Sequence, residues 1–121
     1  MTEAVTYESR NRIAIITINR PKQMNAIDNQ VELELAQAWL RFNASEDRVA
    51  ILTGAGDKAF SAGRDRDAQG IPEYRKFAPS VDITVEKPVI AAAVGWCIGG
   101  ARPPVGMCGL CGAAGDAKVF F

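Results

Sequence analysis

Three short apolar runs constrain this chain more than any other feature: Ile13-Ala14-Ile15-Ile16-Thr17-Ile18, Val49-Ala50-Ile51-Leu52-Thr53 and Val89-Ile90-Ala91-Ala92-Ala93-Val94. Each is too short for a core helix, and each is bounded by turn-forming residues. Asn19-Arg20-Pro21 halts the first, Gly54-Ala55-Gly56-Asp57 ends the second, and Lys87-Pro88 and Gly95 bracket the third. Apolar runs without polar alternation read as strands covered on both faces, the habit of parallel sheets. Between the first two, Val31, Leu35, Trp39 and Phe42 recur at helical spacing, with Glu32, Glu34, Gln37 and Arg41 on other faces. Asp28 is placed to cap that helix and to put negative charge at its start. Strands alternating with a helix predict an α/β fold with mainly parallel strands, and the length predicts a single domain over residues 1–121. The mixed stretch from Ala68 to Val85, interrupted by Pro72 and Pro79, predicts short helical pieces and loop.

Composition narrows the function. Fourteen basic and fourteen acidic residues balance, which gives no reason to expect nucleic acid or an anionic membrane as partner. The first residues lack the apolar stretch of a signal peptide, and no apolar run approaches the roughly 20 residues needed to cross a bilayer. A cytoplasmic location is the expectation. There is no histidine, which removes the commonest general base and metal ligand together. Cys97, Cys108 and Cys111 are too few for a four-ligand zinc site and have no secretory context for a disulfide framework. No metal is expected.

Two of the strands lead into loops of small residues. Val49–Thr53 leads to Phe60-Ser61-Ala62-Gly63-Arg64-Asp65, and Val89–Val94 to Gly95-Trp96-Cys97-Ile98-Gly99-Gly100-Ala101. In a parallel sheet both emerge at the carboxyl ends of strands, where such folds bind ligands. Small residues let a ligand approach the backbone, and two converging N–H groups can stabilise an oxyanion. Either segment taken alone reads first as a tight turn, and only the two together point to a site.

Four segments occur in order: Asn19-Arg20-Pro21-Lys22-Gln23-Met24-Asn25-Ala26, Leu52 to Asp65, Lys87 to Gly95, and Ile98-Gly99-Gly100. Together they resemble the crotonase (enoyl-CoA hydratase/isomerase) family from about Val5 to about Ala101. The resemblance implies a partial crotonase β-β-α spiral, a fold shared with Clp-type proteases. Those proteases need a Ser-His-Asp triad, which a chain without histidine cannot supply. It implies acyl-CoA thioester substrates, with coenzyme A as part of the substrate and no separate cofactor, and it implies trimers or hexamers for full-length members. By matching position the oxyanion donors would be the backbone N–H groups of Arg64 and Gly100. Lys22, Gln23 and Met24 would lie along the coenzyme A, and Ala62, Gly63, Arg64 and Asp65 would border its adenine. The Arg64 side chain, where alanine is common in the family, would reshape the pocket or meet coenzyme A phosphates. Ordinary structural roles stand beside these: a solvated turn for Lys22, a helix cap for Asp65, core packing for Met24 and Phe60.

The resemblance breaks down after residue 101. The family's first catalytic glutamate sits three residues after the oxyanion glycine, where this chain has Pro103, which can neither take nor give a proton. The second lies in a part of the family sequence that this chain does not contain. The family expects a buried helix in this stretch. Gly106, Gly109, Gly112 and Gly115 would each cost such a helix about 1 kcal/mol relative to alanine. Cys108 and Cys111 are then expected as thiols on that helix. The sequence leaves two readings of function open: a partial enzyme of the family, or a module that binds coenzyme A without turnover or is inert.

Overall fold

The computed structural model describes residues 3–70, 83–93, 95–98, 110–113 and 118–120. Two sheets are built in alternation along the chain. Strands β1 (Val5–Arg10), β2 (Ile13–Ile18), β3 (Val49–Gly54), β5 (Val89–Ala93) and β7 (Leu110–Ala113) form a five-stranded sheet in the order β1-β2-β3-β5-β7. Strands β4 (Ala59–Ser61), β6 (Trp96–Ile98) and β8 (Lys118–Phe120) form a second sheet in the order β4-β6-β8. Each strand of the large sheet from β3 onward is therefore followed by one of the small sheet, and each such turn lies beside the turn before it. This is a parallel spiral. Among the described residues all pairings of named strands are parallel except that of β1 with β2.

The three apolar runs become β2, β3 and β5 and are neighbours, with Ile15 beside Ile51 and Ile51 beside Ile90. Their burial is less even than the runs suggest. Ala14, Ile16, Ile18, Ala50, Leu52, Val89, Ala91 and Ala93 are buried, whereas Ile15, Ile51 and Ile90 on the opposite face are half-buried.

The predicted helix is α1 (Asn29–Ala44). Asp28 Oδ1 accepts from the Val31 N–H at 2.8 Å, so the expected cap forms. Val31, Leu35, Trp39 and Phe42 are all fully buried against β1 and β2. Glu32, off the apolar stripe, is nevertheless buried, with Arg64 Nε 4.0 Å from its Oε1. At the far end Lys87 Nζ donates to the carbonyls of Phe42, Ser45 and Asp47 at 2.8, 3.0 and 2.7 Å. These include carbonyls that a helix end leaves without partners.

One strand was not anticipated, and two expectations need correction. Residues 5–10 carried no strand signal, yet they form β1, closed onto β2 through Asn11 and Arg12 at φ 50° and 63°. The segments read as loops after β3 and β5 contain β4 and β6, which pair directly, Ala59 with Trp96 and Ser61 with Cys97. Cys111 and Gly112 lie in β7 rather than on a helix, so the glycines at spacing three do not share one helical element. Cys108, Pro103, Val94, and residues 71–82 of the predicted helical pieces lie outside the described residues.

Candidate functional site

The site grows from two short segments laced together. Pro21–Gln23 form a single 3-10 turn, and the chain leaves it through Met24 and Asn25, both in the left-handed region at φ 51° and 55°. Asparagine tolerates that backbone better than most residues, and its amide is put to use here. Asn25 Oδ1 accepts from the Arg20 N–H at 2.9 Å, while Nδ2 donates to the carbonyls of Ala55 and Ala59 at 2.9 and 2.8 Å. Only 1% of Asn25 is exposed, so these bonds replace water almost entirely. One side chain thus ties the 3-10 turn to the link between β3 and β4.

The second segment follows β4. The Ala62 N–H donates to Met24 O at 2.9 Å, and Ser61 Oγ donates to Asn25 O at 2.6 Å while accepting from the Gly63 N–H at 3.1 Å. A parallel bridge then forms between Ile27 and Arg64, in which the Ile27 N–H donates to Gly63 O at 2.8 Å and the Asp65 N–H to Ile27 O at 2.9 Å. Both bonds of this bridge belong to the residues flanking Arg64. The Gly63 carbonyl and the Arg64 N–H share one peptide plane, and in a trans peptide they point in opposite directions. Because Ile27 holds the carbonyl, the Arg64 N–H is directed away from the 24–27 segment. Gly63 adopts φ 94°, a conformation that a side chain would oppose.

Around this backbone lies a charged shell. Arg20 Nη1 donates to Ala26 O at 2.7 Å and to Asp65 Oδ2 at 2.9 Å, and Arg20 Nη2 lies 3.6 Å from Asp28 Oδ2. Asp65 Oδ1 accepts from the Asp67 N–H at 2.9 Å. That backbone bond, with the Arg20 guanidinium, holds the Asp65 carboxyl below its ordinary range. Arg64 Nη2 donates to Gln69 O at 2.9 Å, and its Nε lies 4.0 Å from Glu32 Oε1. The Arg64 side chain thus turns toward α1 and the 69 carbonyl.

The candidate coenzyme A residues meet here to different degrees. Lys22 and Met24 line a cleft of about 300 Å³ with Pro21, Asn25 and residues 55–59. Gln23, together with Lys22 again, borders a larger cleft of about 500 Å³ on the side of Glu3, Asn19 and Asp28. Met24 is 36% exposed and is not a core residue, whereas Phe60 is core, at 1%. Ala62 to Asp65 run alongside Met24 to Ile27. Gly100 lies outside the described residues. β6, which pairs with β4, ends at Ile98. Arg20, Asn25, Ile27 and Ser61 carry the geometry although none was singled out as a site residue. Their partners lie up to 45 positions away, and sequence spacing holds no trace of that. Among the described residues no three His, Cys, Asp or Glu side chains group as a metal site. No helix there is long and apolar enough to cross a membrane.

A spiral of paired parallel strands with this laced turn at its edge is the crotonase fold, and solved structures agree. A probable enoyl-CoA hydratase/isomerase from Mycobacterium abscessus superposes with a TM-score of 0.85 at 36% identity, over 98% of this chain and 48% of its own. A carnitinyl-CoA dehydratase from Mycobacterium avium superposes at 0.83 with 30% identity, over 98% and 48%. The (E)-benzylidenesuccinyl-CoA hydratase of Thauera aromatica is 35% identical over 94% of this chain. The enoyl-CoA hydratase/isomerase family profile matches residues 8–120, and the chain belongs to that family. It spans about half the length of the curated relatives it matches, 48% in the Thauera protein.

Proposed function

We propose that this chain binds an acyl-CoA thioester and stabilises negative charge on the thioester oxygen, as one part of enoyl-CoA hydratase/isomerase chemistry. The observation that carries the reading is the direction of the Arg64 N–H, turned outward because Ile27 holds the carbonyl of the same peptide. A second donor is assigned to the backbone of Gly100. The pairing of Ser61 with Cys97 supports this, because Arg64 and Gly100 each follow that pair by the same number of residues. Lys22 and Met24 are assigned to the coenzyme A, with Gln23 beside them and Ala62 to Asp65 along its adenine end. The relatives' names speak of hydratases and a dehydratase acting on CoA esters, which fits the substrate class.

An oxyanion donor lowers the cost of an enolate but moves no proton. Removing one donor typically costs about 2.7–4 kcal/mol of transition-state stabilisation. Hydration also needs an acid and a base, and Pro103 supplies neither at the position where the resemblance places the first glutamate. The chain is therefore assigned thioester binding and polarisation. Calorimetry of the purified chain with coenzyme A and with a short acyl-CoA tests this. Saturable heat is expected with both ligands and tighter binding with the thioester. No heat at millimolar ligand overturns the reading. Hydration of a short enoyl-CoA is expected to stay at the background rate.

A further inference from the structure

Two peptide groups stand in series behind the Arg64 N–H, and a cation stands behind them. The Arg20 guanidinium donates to Ala26 O at 2.7 Å. That carbonyl shares its peptide plane with the Ile27 N–H, which donates to Gly63 O at 2.8 Å. The Gly63 carbonyl in turn shares its plane with the Arg64 N–H. We propose that Arg20 is a positioning residue for the oxyanion donor, acting through the peptides 26–27 and 63–64 in line. This rests on the thioester reading above.

The relay does two things. Each trans peptide is held at its carbonyl, so the direction of the terminal N–H is fixed by bonds on the side away from the ligand. Hydrogen bonds in a chain also polarise one another, and a cation at the acceptor end of the first peptide polarises both N–H groups in the same sense. The last N–H is thereby a better donor to an anion than an isolated amide. The guanidinium is itself held. Asp65 Oδ2 accepts from the same Nη1 at 2.9 Å, Asp28 lies at 3.6 Å, and the Arg20 backbone is tied through Asn25 Oδ1 and the Gln23 and Asn25 N–H groups. The Arg20 side chain is 19% exposed, so solvent screens this charge only in part.

The test compares the wild type with Arg20→Met, Arg20→Lys and Arg20→Gln by two readouts. The first is the affinity for a β-ketoacyl-CoA, whose bound enolate absorbs in the near ultraviolet, relative to the affinity for coenzyme A itself. In Arg20→Met this ratio is expected to fall about tenfold, the scale of one charge-assisted hydrogen bond, while coenzyme A affinity holds. Arg20→Lys, which keeps a cationic donor, is expected to recover part of the loss. The second readout needs no ligand. Amide exchange at Ile27 is expected to quicken about tenfold in Arg20→Met as its bond to Gly63 loosens, with Leu35 and Leu52 unchanged. If Arg20→Met does not fold, Arg20→Gln, which keeps a neutral donor in place of the cation, carries both comparisons. An unchanged ratio, or an unchanged Ile27 amide, overturns the relay. A wild type that binds neither ligand removes the thioester reading instead, and the Ile27 amide then decides the relay alone.

Discussion

Asn25 does the most with one side chain. It occupies a left-handed backbone position and satisfies one N–H and two carbonyls from three parts of the chain. Replacing it with alanine leaves those groups unpaired, the Ala59 carbonyl in a buried position and the other two in partly buried ones. Each unsatisfied buried group costs about 1–3 kcal/mol, so Asn25→Ala is expected to destabilise by about 2–5 kcal/mol, read as a lower urea midpoint. None of this was legible in the sequence. Asn25 stands in a recognisable segment, but its partners Ala55 and Ala59 are featureless alanines whose carbonyls, not side chains, do the binding. By the same logic Arg64 could be read only as a position, because its assigned role belongs to the backbone. The direction of that backbone is set by Gly63 and Ile27.

At the level of elements, α1 was legible because its buried stripe, its cap and its length are all local properties. β1 was not, because Val5–Arg10 mixes Thr6, Glu8 and Ser9 into an edge strand, and its turn uses Asn11-Arg12 without the glycine that normally marks a tight hairpin. The join between α1 and β3 was also hidden. There Asp47 accepts hydrogen bonds from Ser9 Oγ and, at 2.6 Å, from the Tyr7 hydroxyl. Those bonds, Ser9 first and Tyr7 second, hold the Asp47 carboxyl below its ordinary range. The sign follows. A carboxyl with a depressed folded-state pKa binds protons more weakly in the native state than in the unfolded chain. Its stabilisation is present above the unfolded value near about 4 and is lost as pH falls through the folded one. Urea midpoints are therefore expected to drop between pH 6 and pH 3, and the drop is expected to be smaller in Asp47→Asn. Equal slopes in the two proteins would remove Asp47 from the acid response.

For the whole molecule, the apolar runs indicated a parallel sheet but not that the chain divides itself between two. That division depends on short strands such as Ala59–Ser61 and Trp96–Ile98, too brief to carry any periodicity. The crossing from β5 to β6 passes through Gly95 at φ 68°, where an added Cβ would collide with the Lys58 carbonyl. The Trp96 N–H bonds that same carbonyl at 3.1 Å, so β6 is pinned to the start of β4 at this point. Gly95→Ala must either strain the backbone or open the β4–β6 pairing, and it is expected to lower the thermal midpoint by several degrees, seen in a melt followed by circular dichroism. The strand order also bears on how the chain reaches this state. β1 and β2 meet across a two-residue turn, whereas Ala50 must find Val89, Ile90 must find Leu110 and Trp96 must find Lys118 across long stretches of chain. Closing those distances carries an entropy cost before any contact repays it. The hairpin with α1 laid on it is thus the expected nucleus, and the later turns of the spiral are expected to add to it slowly, leaving the growing strand edge open to wrong partners until the next turn arrives.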